Sequence, residues 1–221
     1  NHEARWISEE IEAFSMGTRG YDPIRKNEIA VLVRASFQMR AFEDRFLSSG
    51  IAYRVVGGPR FYERAEIRDA LAYFRATITP EDGLAFERIL NTPKRGLGEK
   101  ALQKMHLYSR EKDIPLKMAA KEILAIGTLG SKANNSLRNL LDHFDRWQEK
   151  SKEKTQSHVE LAELILDESG YTEMWKMDRS PDAPGRLENL KELIQSLQNF
   201  ESFESFLEHV SLVMENDDED E

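Results

Sequence analysis

Two stretches of this sequence combine glycines with basic residues in a spacing that could bind an anionic ligand. In the first, a β-branched run ends at Gly57-Gly58, and Arg60 follows two residues later. Paired glycines at the end of a strand allow backbone conformations closed to other residues and let the backbone approach a ligand closely. Arg60 is therefore expected at the end of a strand, where α/β sheets usually bind ligands.

The second stretch is Pro93-Lys94-Arg95-Gly96-Leu97-Gly98-Glu99-Lys100, in which small residues surround one apolar residue just ahead of a predicted helix. The pattern resembles the hairpin of helix-hairpin-helix DNA-binding motifs. Glycines let the backbone approach a phosphate, and the N–H groups at the start of the helix face the anion. Lys94, Arg95 and Lys100 add positive charge. From the residues alone, a Gly-x-Gly turn is usually only a turn, so both interpretations stay open.

No side chains in the sequence have the arrangement of a catalytic centre. The carboxylates form no distinctive pair, and no nucleophile stands beside a candidate base. Gly130-Ser131-Lys132 lacks the spacing of a nucleotide-binding phosphate loop and is interpreted as the start of a helix. The histidines also lack metal-ligand spacing, so we predict no catalytic residue and no metal site. These histidines are His2, His106, His143, His158 and His209.

The elements that position these stretches change in character near Pro80. Before it, helices at about 3–16, 39–49 and 64–78 alternate with a buried strand at 29–33 and a second strand at 53–56, which is the rhythm of an α/β layer. After it, only helices are predicted. They cover about 84–90, 100–110, 116–126, 132–148, 159–168, 186–200 and 203–214. We therefore predict a partial α/β lobe at 1–80, a helical domain at 81–214 and an acidic tail at 215–221.

Composition restricts the partners and the cellular location. The net charge is −9, but six acids in the last seven residues account for −6 of it and leave −3 elsewhere, so local basic clusters matter more than the total. The absence of cysteine excludes disulfides and fits a reducing cytosol, so a cytoplasmic location is expected. The sequence contains no long uncharged apolar run, so no membrane partner is predicted. The chain begins with Asn1, which suggests a piece of a longer protein.

Three motifs in register resemble the UvrD/PcrA/Rep family of superfamily 1 DNA helicases. They are Ile29-Ala30-Val31-Leu32-Val33-Arg34, Gly57-Gly58-x-Arg60-Phe61-Tyr62-x-Arg64-x-Glu66-Ile67-x-Asp69, and Asn91-Thr92-Pro93-Lys94-Arg95-Gly96-Leu97-Gly98. Weaker similarity continues through Ser169-Gly170-Tyr171 and Arg186-Leu187-Glu188-Asn189-Leu190. The resemblance covers essentially the whole chain but only part of the family's architecture. It implies a mainly α chain: a partial RecA-like α/β segment of the second motor lobe, followed by the all-helical inserted subdomain called 2B.

The resemblance also implies which residues contact DNA. The single-strand site would comprise Arg34, Ser36, Gly57, Gly58 and Arg60; the family usually has asparagine at the position of Ser36, and serine lacks the amide. The duplex site would comprise Lys94, Arg95, Gly96, Leu97, Gly98 and Lys100. For Arg64 and Arg68, ion pairs along one helix with Glu63, Glu66 and Asp69 are the favoured interpretation.

By the same resemblance, the parent protein would be an ATP-dependent 3′-to-5′ DNA helicase that uses ATP and Mg. This chain is expected to bind no cofactor and to hydrolyse no ATP by itself, because it lacks the nucleotide-binding motifs. The expected partners are a single-strand/duplex DNA junction and the rest of the motor; repair-protein partners are not identified. Two alternatives remain: the motor portion of a helicase–nuclease, and a non-enzymatic helical module that binds DNA or protein.

Overall fold

In the computed structural model of the chain, the described residues are 2–20, 22–56, 58, 60–153 and 157–215, and they form eleven α-helices. The mainly α class is therefore confirmed. The helices are α1 (His2–Met16), α2 (Met39–Ser48), α3 (Ala65–Ile78), α4 (Gly83–Ile89), α5 (Glu99–Lys112), α6 (Leu116–Ile126), α7 (Ser131–Lys152), α8 (His158–Glu168), α9 (Tyr171–Met177), α10 (Ala183–Leu197) and α11 (Phe203–Glu215). Short 3₁₀ turns lie at Lys26–Glu28, Ser36–Gln38 and Phe61–Glu63.

The prediction of strands at 29–33 and 53–56 was wrong for the described residues. Residues 29–33 and 53–56 are not helical, but neither makes the hydrogen bonds of a strand. Their burial alternates along the chain, and Leu32 is 94% exposed while Val56 is 80% exposed. A β-branched run becomes a strand only when its backbone pairs with another strand, which the run itself cannot supply. The inward positions instead join a small core: Ile11, Phe46 and Ile51, flanked by Ile7, Ile29, Val31, Phe42 and Tyr53.

The chain divides into two compact units, Asn1–Arg64 with Ser211–Glu221, and Ala65–Val210. The division lies before α3, because α3 packs against α4, α7, α8 and α10 within the second unit. Sequence patterning placed the change of character about a helix later, near Pro80. The assignment of 1–80, 81–214 and 215–221 to family subdomains stays a prediction, and residues 216–221 of the tail lie outside the described residues.

The second unit has an aromatic core around α3. The Tyr73 ring stacks on Phe144 with centroids 6.3 Å apart, and Phe144 meets Trp147 edge-on at 5.1 Å. These side chains are almost fully buried, and burial of such large apolar groups stabilises a fold by roughly 1.5–3 kcal/mol each. The core therefore anchors α3 and α7, and through them the segment that joins α4 to α5.

Two helical features differ from the sequence prediction. Helix α9 was not predicted, because seven residues are too few to show a 3.6-residue period. Helix α7 continues to Lys152, into a stretch predicted as a polar connector. A polar surface does not end a helix when the helix already has a buried face of its own, and α7 has one along its full middle section.

Candidate nucleic-acid interface

The segment between α4 and α5, residues 91–98, forms a hairpin that we call the 91–98 loop. The Asn91 side chain organises it: its Oδ1 accepts hydrogen bonds from the backbone N–H of Arg95 at 2.8 Å and of Leu97 at 3.3 Å. Gly96 has φ +75°, in the left-handed region that favours glycine. The Leu97 side chain is only 1% exposed. The Asn91 hydrogen bonds, the left-handed backbone at Gly96 and the buried Leu97 side chain thus fix the conformation of the hairpin.

Arg95 is turned towards the protein interior. Its Nη1 donates to the carbonyl oxygens of Ile89 at 2.9 Å and Pro93 at 3.2 Å. Its Nη2 donates to the Tyr73 hydroxyl at 2.6 Å and to the Ser169 carbonyl at 2.9 Å. The guanidinium carbon also lies 5.9 Å from the centroid of the Tyr73 ring. In this position the guanidinium is an internal anchor of the loop.

Apart from Arg95 and the buried Leu97, the members of the predicted duplex site face solvent: Lys94, Gly96, Gly98 and Lys100 are exposed. Gly98 is the N-cap of α5, with φ −79° and ψ −168°, and a Cβ atom there would meet no atom within 4 Å. Internal packing therefore does not require glycine at this position. The outer surface of the loop presents two lysines beside the positive end of the α5 dipole, with Glu99 as an opposing charge in the first turn.

The predicted single-strand residues lie in the first unit. Arg34 is exposed, and its backbone N–H donates to Gln38 Oε1 at 3.1 Å. Arg60 is half-buried, with its guanidinium carbon 5.8 Å from the centroid of the Tyr53 ring. Gly58 is exposed with open space around it. Gly57 lies outside the described residues, and of Ser36 only the backbone is described, at the start of a 3₁₀ turn.

A buried carboxylate supports the segment that carries Arg60. Glu43 on α2 is 3% exposed, and its two oxygens accept from the Phe61 N–H at 3.3 and 3.1 Å. Burial raises the pKa of Glu43 to about 7, and the Phe61 hydrogen bond partly opposes this increase. The sequence interpretation missed this residue. The available signal was an acid on the inward face of a predicted helix, between the apolar residues Phe42 and Phe46.

Glu66 and Asp69 on α3 have partners on other helices, and the ion pairs expected for Arg64 and Arg68 stay a prediction. Glu66 accepts a hydrogen bond from Asn189 Nδ2 at 2.6 Å and lies 3.8 Å from Arg186 Nη1. Asp69 accepts from Arg88 Nε at 2.6 Å and from the Tyr171 hydroxyl at 3.2 Å. The two weaker sequence motifs, at 169–171 and 186–190, are therefore joined to the Glu66–Asp69 motif by direct contacts.

The part of the chain that the structure describes contains neither a metal-binding cluster nor a membrane-spanning helix. No group of three or more histidine, aspartate and glutamate side chains in that part of the chain could hold a metal ion. No helix there combines the length and the apolar character needed to cross a lipid bilayer.

Comparison with known proteins gives consistent matches. The sequence profile of the UvrD-like helicase C-terminal domain matches residues 1–221. DNA helicase II of Rickettsia typhi is 42% identical over 215 residues, which are 97% of this chain and 32% of that protein. ATP-dependent DNA helicase PcrA of Bacillus subtilis is 38% identical over 168 residues, 75% of this chain and 22% of that protein. DNA helicase II of Escherichia coli K12 is 34% identical over 165 residues, 75% and 23% respectively. The chain spans about a third or less of the length of these curated relatives.

Proposed function

The chain belongs to the UvrD-like helicase C-terminal domain family, and from this membership we propose that it is part of an ATP-dependent 3′-to-5′ DNA helicase. The observation that carries the proposal is the family match over all 221 residues. The relatives that align over 97% of the chain are named DNA helicase II or a probable homologue of it. In the proposed assignment, the chain supplies part of the second RecA-like motor lobe and the inserted helical subdomain, and it works in the cytoplasm.

Within that assignment, the 91–98 loop and the start of α5 would hold duplex DNA. The exposed Lys94 and Lys100, and the unobstructed backbone at Gly98, support this part of the proposal. Phosphates are the natural ligands of such a surface, because lysines and helix N-terminal N–H groups attract them regardless of base sequence. The tracking single strand would contact Arg34, Ser36, Gly57, Gly58 and Arg60.

The ATP and Mg of the parent enzyme would be held by the rest of the motor. We propose that the isolated chain neither binds nor hydrolyses ATP, because the nucleotide-binding motifs expected for phosphoryl transfer are missing from its sequence. Its contribution to unwinding would then be DNA contact: single strand on one unit and duplex on the other.

The test is fluorescence anisotropy with a hairpin duplex and a short single strand, titrated at several salt concentrations. Replacing Lys94 and Lys100 together by glutamine should reduce the duplex salt slope by about 1.8, since each lost phosphate contact removes about 0.9. Single-strand binding should not change. Arg34→Gln should do the reverse, with a single-strand slope smaller by about 0.7 and unchanged duplex binding. Each variant is the control for the other, and equal effects on both DNAs would contradict the assignment.

A further inference from the structure

We infer that Arg95 is a positioning residue, which locks the 91–98 loop in its binding conformation, and that it does not contact phosphate. The loop's direct contacts with duplex DNA would then come from Lys94, Lys100 and backbone N–H groups. The inference rests on the proposed duplex-binding function of this loop. Its structural basis is independent of that function.

The first step of the argument is the geometry of the guanidinium. A guanidinium presents its N–H donors in a rigid planar fork. Four hydrogen bonds occupy this fork, and their acceptors come from α3, from the end of α4, from the loop itself and from the C-cap of α8. Charge-assisted hydrogen bonds of this kind are among the stronger ones in proteins. These bonds use the N–H groups of both Nη atoms, so a phosphate could form a bidentate contact with Arg95 only if at least one of them broke.

The second step is that the acceptors of Arg95 are themselves connected. The Tyr73 hydroxyl accepts from Arg95 and donates to the Thr92 carbonyl at 2.5 Å, so it closes a ring of contacts under the loop. Ser169, whose carbonyl accepts from Arg95, also accepts at its Oγ from the Tyr171 N–H at 3.3 Å. The Tyr171 hydroxyl then reaches the Glu66 carbonyl at 3.1 Å.

A continuous polar network therefore runs from the loop through α8 and α9 to α3, and on to α10 through the Glu66–Asn189 contact. Buried polar networks specify one arrangement when their members are satisfied and become costly when a member is lost. The conformation of the 91–98 loop is thus tied to the packing of the helical unit, with Arg95 as the link.

The third step is a contrast within the loop. Lys94, the neighbouring residue, is exposed, whereas Arg95 is half-buried. The four acceptors described for Arg95 are carbonyl and hydroxyl oxygens, so no carboxylate among them cancels its charge. Arg95→Lys keeps this charge and its long-range attraction for DNA, but it removes the fork. This substitution therefore distinguishes attraction of DNA by the positive charge from positioning of the loop by the guanidinium hydrogen bonds.

The experiment uses the full chain with Arg95→Lys, and Arg138→Lys as the matched control, because Arg138 is an exposed arginine on α7 outside both proposed DNA sites. Two quantities are measured: the duplex dissociation constant as a function of salt, and amide hydrogen exchange at Leu97, whose N–H is bonded to Asn91. We expect Arg95→Lys to weaken duplex binding by about tenfold, the value of one lost charge-assisted hydrogen bond, with an unchanged salt slope. Leu97 exchange should accelerate. Arg138→Lys should change neither quantity.

Duplex affinity of Arg95→Lys within about twofold of wild type, or unchanged Leu97 exchange, would overturn the inference, since a lysine can replace a simple charge contact but not a fork. If Arg95→Lys does not fold, Tyr73→Phe replaces it, because it removes one acceptor of the fork and keeps the ring. It should show the same two effects, and their absence would equally refute the positioning role. Wild-type protein that does not bind duplex would refute the proposed function, and Leu97 exchange would still decide the role of Arg95.

Discussion

Alanine at Gly98 tests whether the 91–98 loop approaches a phosphate through its backbone. The space around the position is open, and its φ of −79° is accessible to alanine, so the substitution creates neither a clash nor strain. Alanine is a poorer N-cap than glycine, but it also reduces the entropy of the unfolded chain by a comparable amount. We therefore expect a melting temperature within about 2 °C of wild type.

Duplex binding should respond differently, because the added methyl group would separate the backbone N–H groups from a phosphate. Loss of one hydrogen bond to a charged acceptor corresponds to about 1.5–3 kcal/mol, or about tenfold or more in affinity. Gly130→Ala is the matched control: Gly130 is also a helix N-cap without a side-chain cap and with open space around it, at α7. It should leave duplex affinity unchanged. Single-strand affinity should be unchanged in both variants.

Gly96→Ala gives the complementary result. Its φ of +75° places alanine in the left-handed region, which costs about 1–2 kcal/mol, so the melting temperature should fall by about 2–8 °C. Its weaker duplex binding would therefore combine strain with lost contact, and only Gly98 isolates the contact. If Gly98→Ala folds normally and binds duplex within about twofold of wild type, the loop is a plain turn and the duplex assignment is wrong.

Three further predictions concern two buried side chains and the proposal that the chain alone hydrolyses no ATP. Glu43→Gln keeps an acceptor for the Phe61 N–H and removes a carboxyl whose pKa in the folded protein, about 7, exceeds the usual glutamate value of 4.5. In the wild type, the contribution of the Glu43 carboxyl to the free energy of unfolding is fully present below pH 4.5. It is lost as the pH rises through 7. The free energy of unfolding of the variant should therefore rise relative to that of the wild type by up to about 3 kcal/mol between pH 4 and pH 8. Urea titrations at several pH values measure it, and a difference between the two proteins that does not change with pH would contradict this prediction. Asn189→Ala leaves the Glu66 carboxylate without its buried amide donor and should cost about 1–3 kcal/mol in the same titrations, whereas a loss below about 0.5 kcal/mol would show that this contact does not organise α3 and α10. The purified chain should show no DNA-stimulated ATP hydrolysis. ATP hydrolysis that co-purifies with the protein would refute the proposal that the rest of the motor holds the ATP.

Local sequence pattern determined most of the helical framework. Helix α6 was predicted with its observed bounds, and α1, α5 and α8 to within two residues at each end, because an apolar face at 3.6-residue spacing and a terminating glycine or capping residue act within one helix. The family relationship also came from the sequence, because its motifs are short and contiguous. The hairpin at Gly96 was indicated in the same way, since left-handed backbone is a local demand for glycine.

The tertiary structure decided where the polar side chains point and which segments pair. Arg95 looked like a phosphate contact because arginine, glycine and a helix start are adjacent in sequence, yet one of its acceptors, Ser169, lies 74 residues away. Glu66 accepts a hydrogen bond from Asn189, 123 residues away, and no spacing within α3 indicates that partner. The runs at 29–33 and 53–56 had strand composition but no strand to pair with among the described residues. A side chain or strand takes the partner that folding brings to it, and no pattern within a single segment specifies that partner.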